Sequence, residues 1–292
     1  MLRALQRRLI WPLAIVVPAC AAAWSWDRLE SAGSQDGPGA SVLYLPSGRY
    51  LKAASLGFPE VLADAIYIWS IQYYSNYTAA DRFAYLDHIY SGVITELDPH
   101  YVDPYLIGSL IMSTEAGDHE MALRLLDKGI AANPHEWILP FEAGFTCYND
   151  IKDFQRAAAY FEKAIANPEA PGAIRRMHAE MFNKLGDKRA SLDYWLEVHE
   201  TADDAYVEDI SWRHVHDLRI EIDLQTLREA LEAWKSSPRG AGQYPQSLLE
   251  LVRAGVISRE PIDPDGVAYA YDPATGQVRS ASPFRLYRRG PA

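Results

Sequence analysis

The sequence predicts a mainly α chain: a superhelix of paired-helix repeats, an apolar helix at its start and a small α+β appendage at its end. Three observations predict this. Asp118, Asp153 and Asp187 recur at intervals of 35 and 34 residues, in phase with Ala122, Ala157 and Ser191 and with Pro99, Pro134 and Pro168. A period of about 34 with a small residue, a large apolar one four positions on and a closing proline marks helix-pair repeats. Beyond Glu200 the period stops, and short alternating runs between Gly and Pro turns replace it. Ahead of the repeats, Leu9 to Trp26 carries no charge behind Arg3, Arg7 and Arg8.

That uncharged stretch spans 18 residues, close to the lower limit for crossing a bilayer as a helix. Trp11, Trp24 and Trp26 stand near its ends, where amphipathic rings favour the interface, and the arginines orient its start toward the cytoplasm. Residues 1–30 are therefore expected to form a membrane anchor. Two alternatives stay open: a cleaved signal peptide with Ala21-Ala22-Ala23 near the cut, and a lipidated Cys20. All three place the body in the periplasm or cell exterior. Residues 31–41, rich in Gly, Ser, Asp and Pro, read as a flexible tether.

The helical array is expected over 42–236. Leu45 to Leu56 begins it, entered by Pro46 and Gly48. Pro59 opens a helix carrying Leu62, Ile66, Trp69 and Tyr73 at helical spacing. A second helix is expected from about Asp81 to Leu97, closed by Asp98-Pro99. This pair has the length of a repeat without its fingerprint and suits a cap. Three clearer units follow over 101–200. Tyr105, Gly108 and Met112 are followed by Gly117-Asp118, Ala122, Leu126 and Gly129. Phe141, Gly144 and Tyr148 are followed by Asp153, Ala157, Phe161 and Ala164. Ala179 and Phe182 are followed by Gly186-Asp187, Ser191 and Trp195. The first unit carries one extra residue before its turn. Small residues let paired helices approach, and proline ends the second helix because it lacks the N–H and clashes with the preceding turn.

These residues resemble the tetratricopeptide repeat family over about Tyr101 to Glu200, and loosely over Phe58 to Pro99. The resemblance implies a stacked scaffold that binds a protein or peptide partner in a concave groove lined by the first helix of each pair. Its expected groove residues are Glu142, Thr146, Asn149, Arg176, Glu180, Asn183 and Lys184, polar and mixed in sign. Departures stand at Arg175 and His178, where the family is usually apolar.

Past the repeats, Asp204 to Leu218 and Asp223 to Lys235 read as two helices, and Pro238 to Gly242 breaks the chain. A small helix-plus-hairpin module is expected over 240–285. Tyr244 to Gly255 holds a short helix, Val267 to Tyr271 a strand, Asp272 to Gly276 a turn and Gln277 to Ser280 the return strand. This stretch resembles the C-terminal part of major pseudopilins. The chain lacks their Gly-Phe-Thr-x-x-Glu cleavage motif, so it is not itself a pilin subunit.

The net charge of −11 argues against a nucleic-acid partner, which needs a basic stripe. Two cysteines, Cys20 and Cys147, supply neither a disulfide framework nor a zinc cluster. In His214-Val215-His216 the two imidazoles lie two residues apart on a helix and point to different faces, so they do not share an ion. With Glu208, Asp209 and Asp217 they read as a solvated face. Asp263-Pro264-Asp265-Gly266 reads as a turn, with a weak calcium site as the alternative. A phosphate loop, a Gly-x-Ser-x-Gly elbow and a paired-carboxylate context are missing from the sequence. Neither catalysis nor a cofactor is expected. The rival readings are a structural spacer without a groove ligand, and an enzyme with a cryptic site among His88, His100 and His135.

Overall fold

The computed structural model describes residues 45–75, 77 and 82–286. The expected anchor (1–30) and tether (31–41) lie outside the described residues. Among those described, no helix is long and apolar enough to cross a membrane. The described residues are mainly helical, with one two-stranded sheet among them. The chain divides into two units, Met1–Ala116 and Gly117–Ala292.

In the first unit, α1 (Gly48–Ala54) precedes α2 (Pro59–Tyr74), which has proline in its first turn. A continuous helical run follows as α3 (Leu86–Ile89), a π turn (Tyr90–Ile94) and α4 (Thr95–Leu97). The run starts five residues later than the sequence pattern suggests, with 78–81 outside the described residues. Then α5 (Val102–Leu110) continues into a second π turn, Ile111–Glu115. Ala63, Leu86, Tyr90, Val93, Ile94, Tyr105 and Met112 form a core with no exposed surface. The start of α1 lies so close to this run that a Cβ on Gly48 would meet Glu96 Cβ at 2.5 Å.

The second unit is a succession of helices, each packed on the next: α6 (His119–Ala132), α7 (Ile138–Thr146), α8 (Phe154–Ile165), α9 (Gly172–Lys184), α10 (Lys188–Glu200) and α11 (Ala205–Ser236). The aspartate period is a period of helix N-caps. The side chains of Asp118, Asp153 and Asp187 accept hydrogen bonds from the amides of Met121, Arg156 and Ala190 at 2.9, 3.0 and 3.0 Å. Each bond satisfies one donor that a helix start leaves unpaired. The in-phase small residues Ala122, Ala157 and Ser191 have no exposed surface. At Gly144 the approach is closest: a Cβ there would lie 2.7 Å from the Phe161 ring. Gly144 therefore lets Phe161 of α8 cross α7.

Between α7 and α8 the chain makes a third π turn, Cys147–Ile151, closed by the Lys152 amide on Cys147 O, with Lys152 left-handed at φ 63. From Gly144 to Asp153 is nine residues, against eight from Ala179 to Asp187, where the helix has no π turn. A π turn takes up one residue without ending the helix. The longer interval from Gly108 to Asp118 likewise contains the second π turn.

The two helices expected over 204–235 are instead one of 32 residues, α11. Arg219 to Ile222 holds no Gly or Pro, and the fully buried Ile220 carries the apolar side through. Beyond the break, α12 (Leu248–Arg253) and a hairpin of β1 (Ala270–Asp272) and β2 (Gln277–Arg279) follow, with Tyr271 opposite Val278. Leu248, Leu251, Tyr269 and Val278 share one apolar core with Ile220, Leu224, Leu227, Ala230 and Leu231 of α11. The hairpin turn is held tight by Gly276, at φ 72, whose absent Cβ would meet the Tyr244 ring at 2.5 Å.

Candidate functional site

Helices α7 and α9 both pack on α8 and carry the residues expected in a groove. On α9 the set is polar. Arg176, Glu180 and Asn183 are half-buried and Lys184 is exposed. Glu180 accepts from Asn183 Nδ2 at 3.2 Å and pairs with Lys184 at 3.6 Å, so these charges are balanced along one helix face.

On α7 the expectation holds less well. Thr146 is buried, falling two turns after the fully buried Leu139 on the same side of the helix. Glu142 is half-buried, and burial pushes its carboxyl above the usual range. Asn149 is exposed and donates to Asp150 at 2.8 Å. What α7, its N-cap and the π turn after it present instead is a line of rings. Trp137, Phe141, Phe145 and Tyr148 follow at centroid distances of 6.2, 6.1 and 6.3 Å, and Tyr148 reaches Phe154 at 6.3 Å. Phe145 is 39% exposed. The spacing of 4, 4 and 3 is the signal that could have found this line. No bond joins the α7 residues to the α9 set among the described contacts.

A second cluster contradicts the solvated-face reading of 214–217. His216 and Asp217 are buried. His216 Nδ1 lies 2.8 Å from Asp217 Oδ1, and its Nε2 lies 3.3 Å from Asp265 Oδ2. Asp217 accepts from the amides of Arg285 at 2.8 Å and Leu286 at 2.9 Å. Arg285 then donates to Asp265 at 2.6 Å. Burial raises the Asp265 pKa, but the bonds from His216, Ser282 and Arg285 outweigh it and hold the carboxyl below its ordinary value. His214 faces another way, stacked on Trp195. The imidazoles diverge as helix geometry requires, but into packed surroundings: His214 meets Trp195 of α10, while Asp265 reaches His216 from 49 residues further along the chain and the amides of Arg285 and Leu286 reach Asp217 from 68 and 69. A cleft of about 250 Å³ beside the cluster is lined by Asp209, Trp212, Arg213, Pro283 and Arg285.

The Asp263–Gly266 segment is a turn. Asp263 Oδ1 accepts from the amides of Asp265 at 3.1 Å and Val267 at 2.8 Å. Among the described residues no group of three or more His, Cys, Asp or Glu is placed to hold a metal. Cys147 is fully buried, and burial pushes its thiol up to about 11, far from a reactive thiolate. His88 bonds Leu45 O at 2.8 Å, the His100 amide donates to Asp98 and the His135 carbonyl accepts from Asn167. Neither a protein-family model nor a curated protein matches the chain.

Proposed function

We propose that this chain is a membrane-tethered, extracytoplasmic scaffold whose tetratricopeptide-like repeats bind a protein or peptide through the outer face of α7 and α9. The observation that carries the reading is the aromatic line Trp137–Phe141–Phe145–Tyr148. Rings left partly open suit the anchors of a partner segment, and the balanced polar residues of α9 suit its rim, since aromatic anchors surrounded by polar groups dominate most interfaces. The capped, in-phase helices supply a rigid support for such a face. The tail's resemblance to pseudopilins suggests a secretion or pilus-related assembly as the setting.

Co-purification from gently solubilised membranes tests this. Proteins recovered with the wild-type chain are expected to be lost with Phe145→Asp and kept with Lys163→Ala, an exposed change on α8. Equal recovery with both variants overturns the reading, and no specific recovery with the wild type favours a structural spacer.

A further inference from the structure

The first unit presents a surface the partner-binding face does not use. The turn between α1 and α2 projects two large apolar side chains into solvent: Leu56 is 88% exposed and Phe58 66%. Tyr50, at 71%, and Val61, at 64%, flank them. The turn is not a casual loop. Leu56 is left-handed at φ 54, followed by Gly57 at φ 93. A bulky L residue avoids that region, and here it is held by Phe58 N donating to Ser55 O at 3.0 Å and Ser55 Oγ to Lys52 O at 2.7 Å. Strained backbone thus displays apolar groups outward instead of burying them.

Along the sequence, the charge of the tip segment is the reverse of the chain's, and the acid packed nearest its start is Glu96, against Gly48. The protein is net −11, yet no acid occurs from Gly37 to Pro59, where Arg49 and Lys52 are the only charges. Both are exposed, and neither forms an ion pair with a described residue. Glu60 and Asp64, exposed on α2, mark where this basic, apolar segment ends. Apolar and aromatic side chains flanked by Lys and Arg are the composition that enters the headgroup region of an anionic bilayer. The position in the chain fits as well. From Trp26 to Leu45 is 19 residues, a link of at most about 65 Å when fully extended.

We propose that the α1–α2 tip is a second membrane contact, with Tyr50, Leu56 and Phe58 entering the interface of an anionic bilayer while Arg49 and Lys52 meet its headgroups. This rests on the membrane-tether reading of residues 9–26 and extends it, because two weak contacts on one surface reinforce each other. It would fix which side of the first unit faces the membrane, which the tether alone does not.

The test uses the full chain with Cys20→Ser and Val61→Cys, reconstituted in phosphatidylcholine–phosphatidylglycerol vesicles and labelled with an environment-sensitive fluorophore. The buried Cys147 stays unlabelled in the folded protein. A matching chain with Lys163→Cys serves as the solvent reference. Emission at 61 is expected to be blue-shifted and quenched by nitroxide lipids but not by aqueous iodide, with the opposite pattern at 163. Leu56→Asp with Phe58→Asp should abolish the lipid quenching. Flotation of the same samples reports the tether separately. A chain that floats with its label quenched only by iodide overturns the tip contact and keeps the tether. A chain that fails to float, with no lipid quenching, overturns both. A label shielded from both quenchers means a second protein copy covers the tip, and overturns the lipid assignment.

Discussion

His214 lies flat on Trp195, ring centroids 3.7 Å apart and planes within 5° of parallel, joining α11 to α10. Burial there lowers the imidazole pKa to about 4, so the stack is held by a neutral ring. An unfolded histidine takes up its proton near 6.5. Between those values the unfolded chain binds more protons than the folded one. Stability from this site is therefore complete above about pH 6.5 and falls as the pH drops toward 4. The loss is expected to be on the order of 2–3 kcal/mol. Burial also lowers the His178 pKa, so the wild-type slope is shared. Urea unfolding of His214→Phe at several pH values should show a shallower acid dependence than the wild type, with the stack retained.

Asp153 does two jobs at the start of α8. It caps the Arg156 amide, and its other oxygen takes Arg156 Nε at 2.8 Å, while the same guanidinium reaches Glu120 at 2.9 Å. Asp153→Ala should cost about 1–2 kcal/mol, the ordinary loss for an N-cap. Glu120→Ala, breaking only an exposed pair, should cost no more than about 0.5–1 kcal/mol. Equal costs in thermal melts would mean that the cap does not set the aspartate period.

Gly144→Ala places a methyl group against the Phe161 ring and should destabilise the protein by about 1–3 kcal/mol through overpacking. Ala157→Leu, at a position with no exposed surface, should cost a similar amount. Lys163→Ala should stay within about 0.5 kcal/mol. Combining Gly144→Ala with Phe161→Leu should recover part of the loss, which a thermal-melt series would read directly.

Removing residues 237–292 uncovers Leu224, Leu227 and Leu231, which face Leu248, Leu251, Tyr269 and Val278. The truncated chain is expected to melt at lower temperature and to bind a hydrophobic dye at the far end of α11. An unchanged cooperative melt would make the C-terminal module separable.

The elements most legible in the sequence were those whose signals are local. Asp118, Asp153 and Asp187 bond amides three residues away, and Gly276 shapes its own turn, so both could be read from spacing alone. The single helix α11 is not legible in the sequence, because Arg219-Ile220-Glu221-Ile222 looks like a weak junction and only the tertiary packing buries Ile220. In the sequence His216 and Asp217 read as solvent-facing, because Asp265 and the 285–286 amides are distant along the chain and no local pattern announces them. On α7 the difference between sequence and structure is a rotation about the helix axis. Gly144 against Phe161 fixes which side is inward, turning Thr146 into the core and leaving Phe145 partly open.

Asp217 grips the chain near its end by main-chain amides, those of Arg285 and Leu286. Such a clasp does not read side chains. Asp217 would hold almost any residue at 285 or 286, because every residue but one brings the same N–H, whereas the neighbouring bond to Asp265 needs the Arg285 side chain. Proline is the exception, lacking that hydrogen. The last described segment is thus fastened by a lock with a generic key, and its weak point lies at Asp217, far upstream on α11.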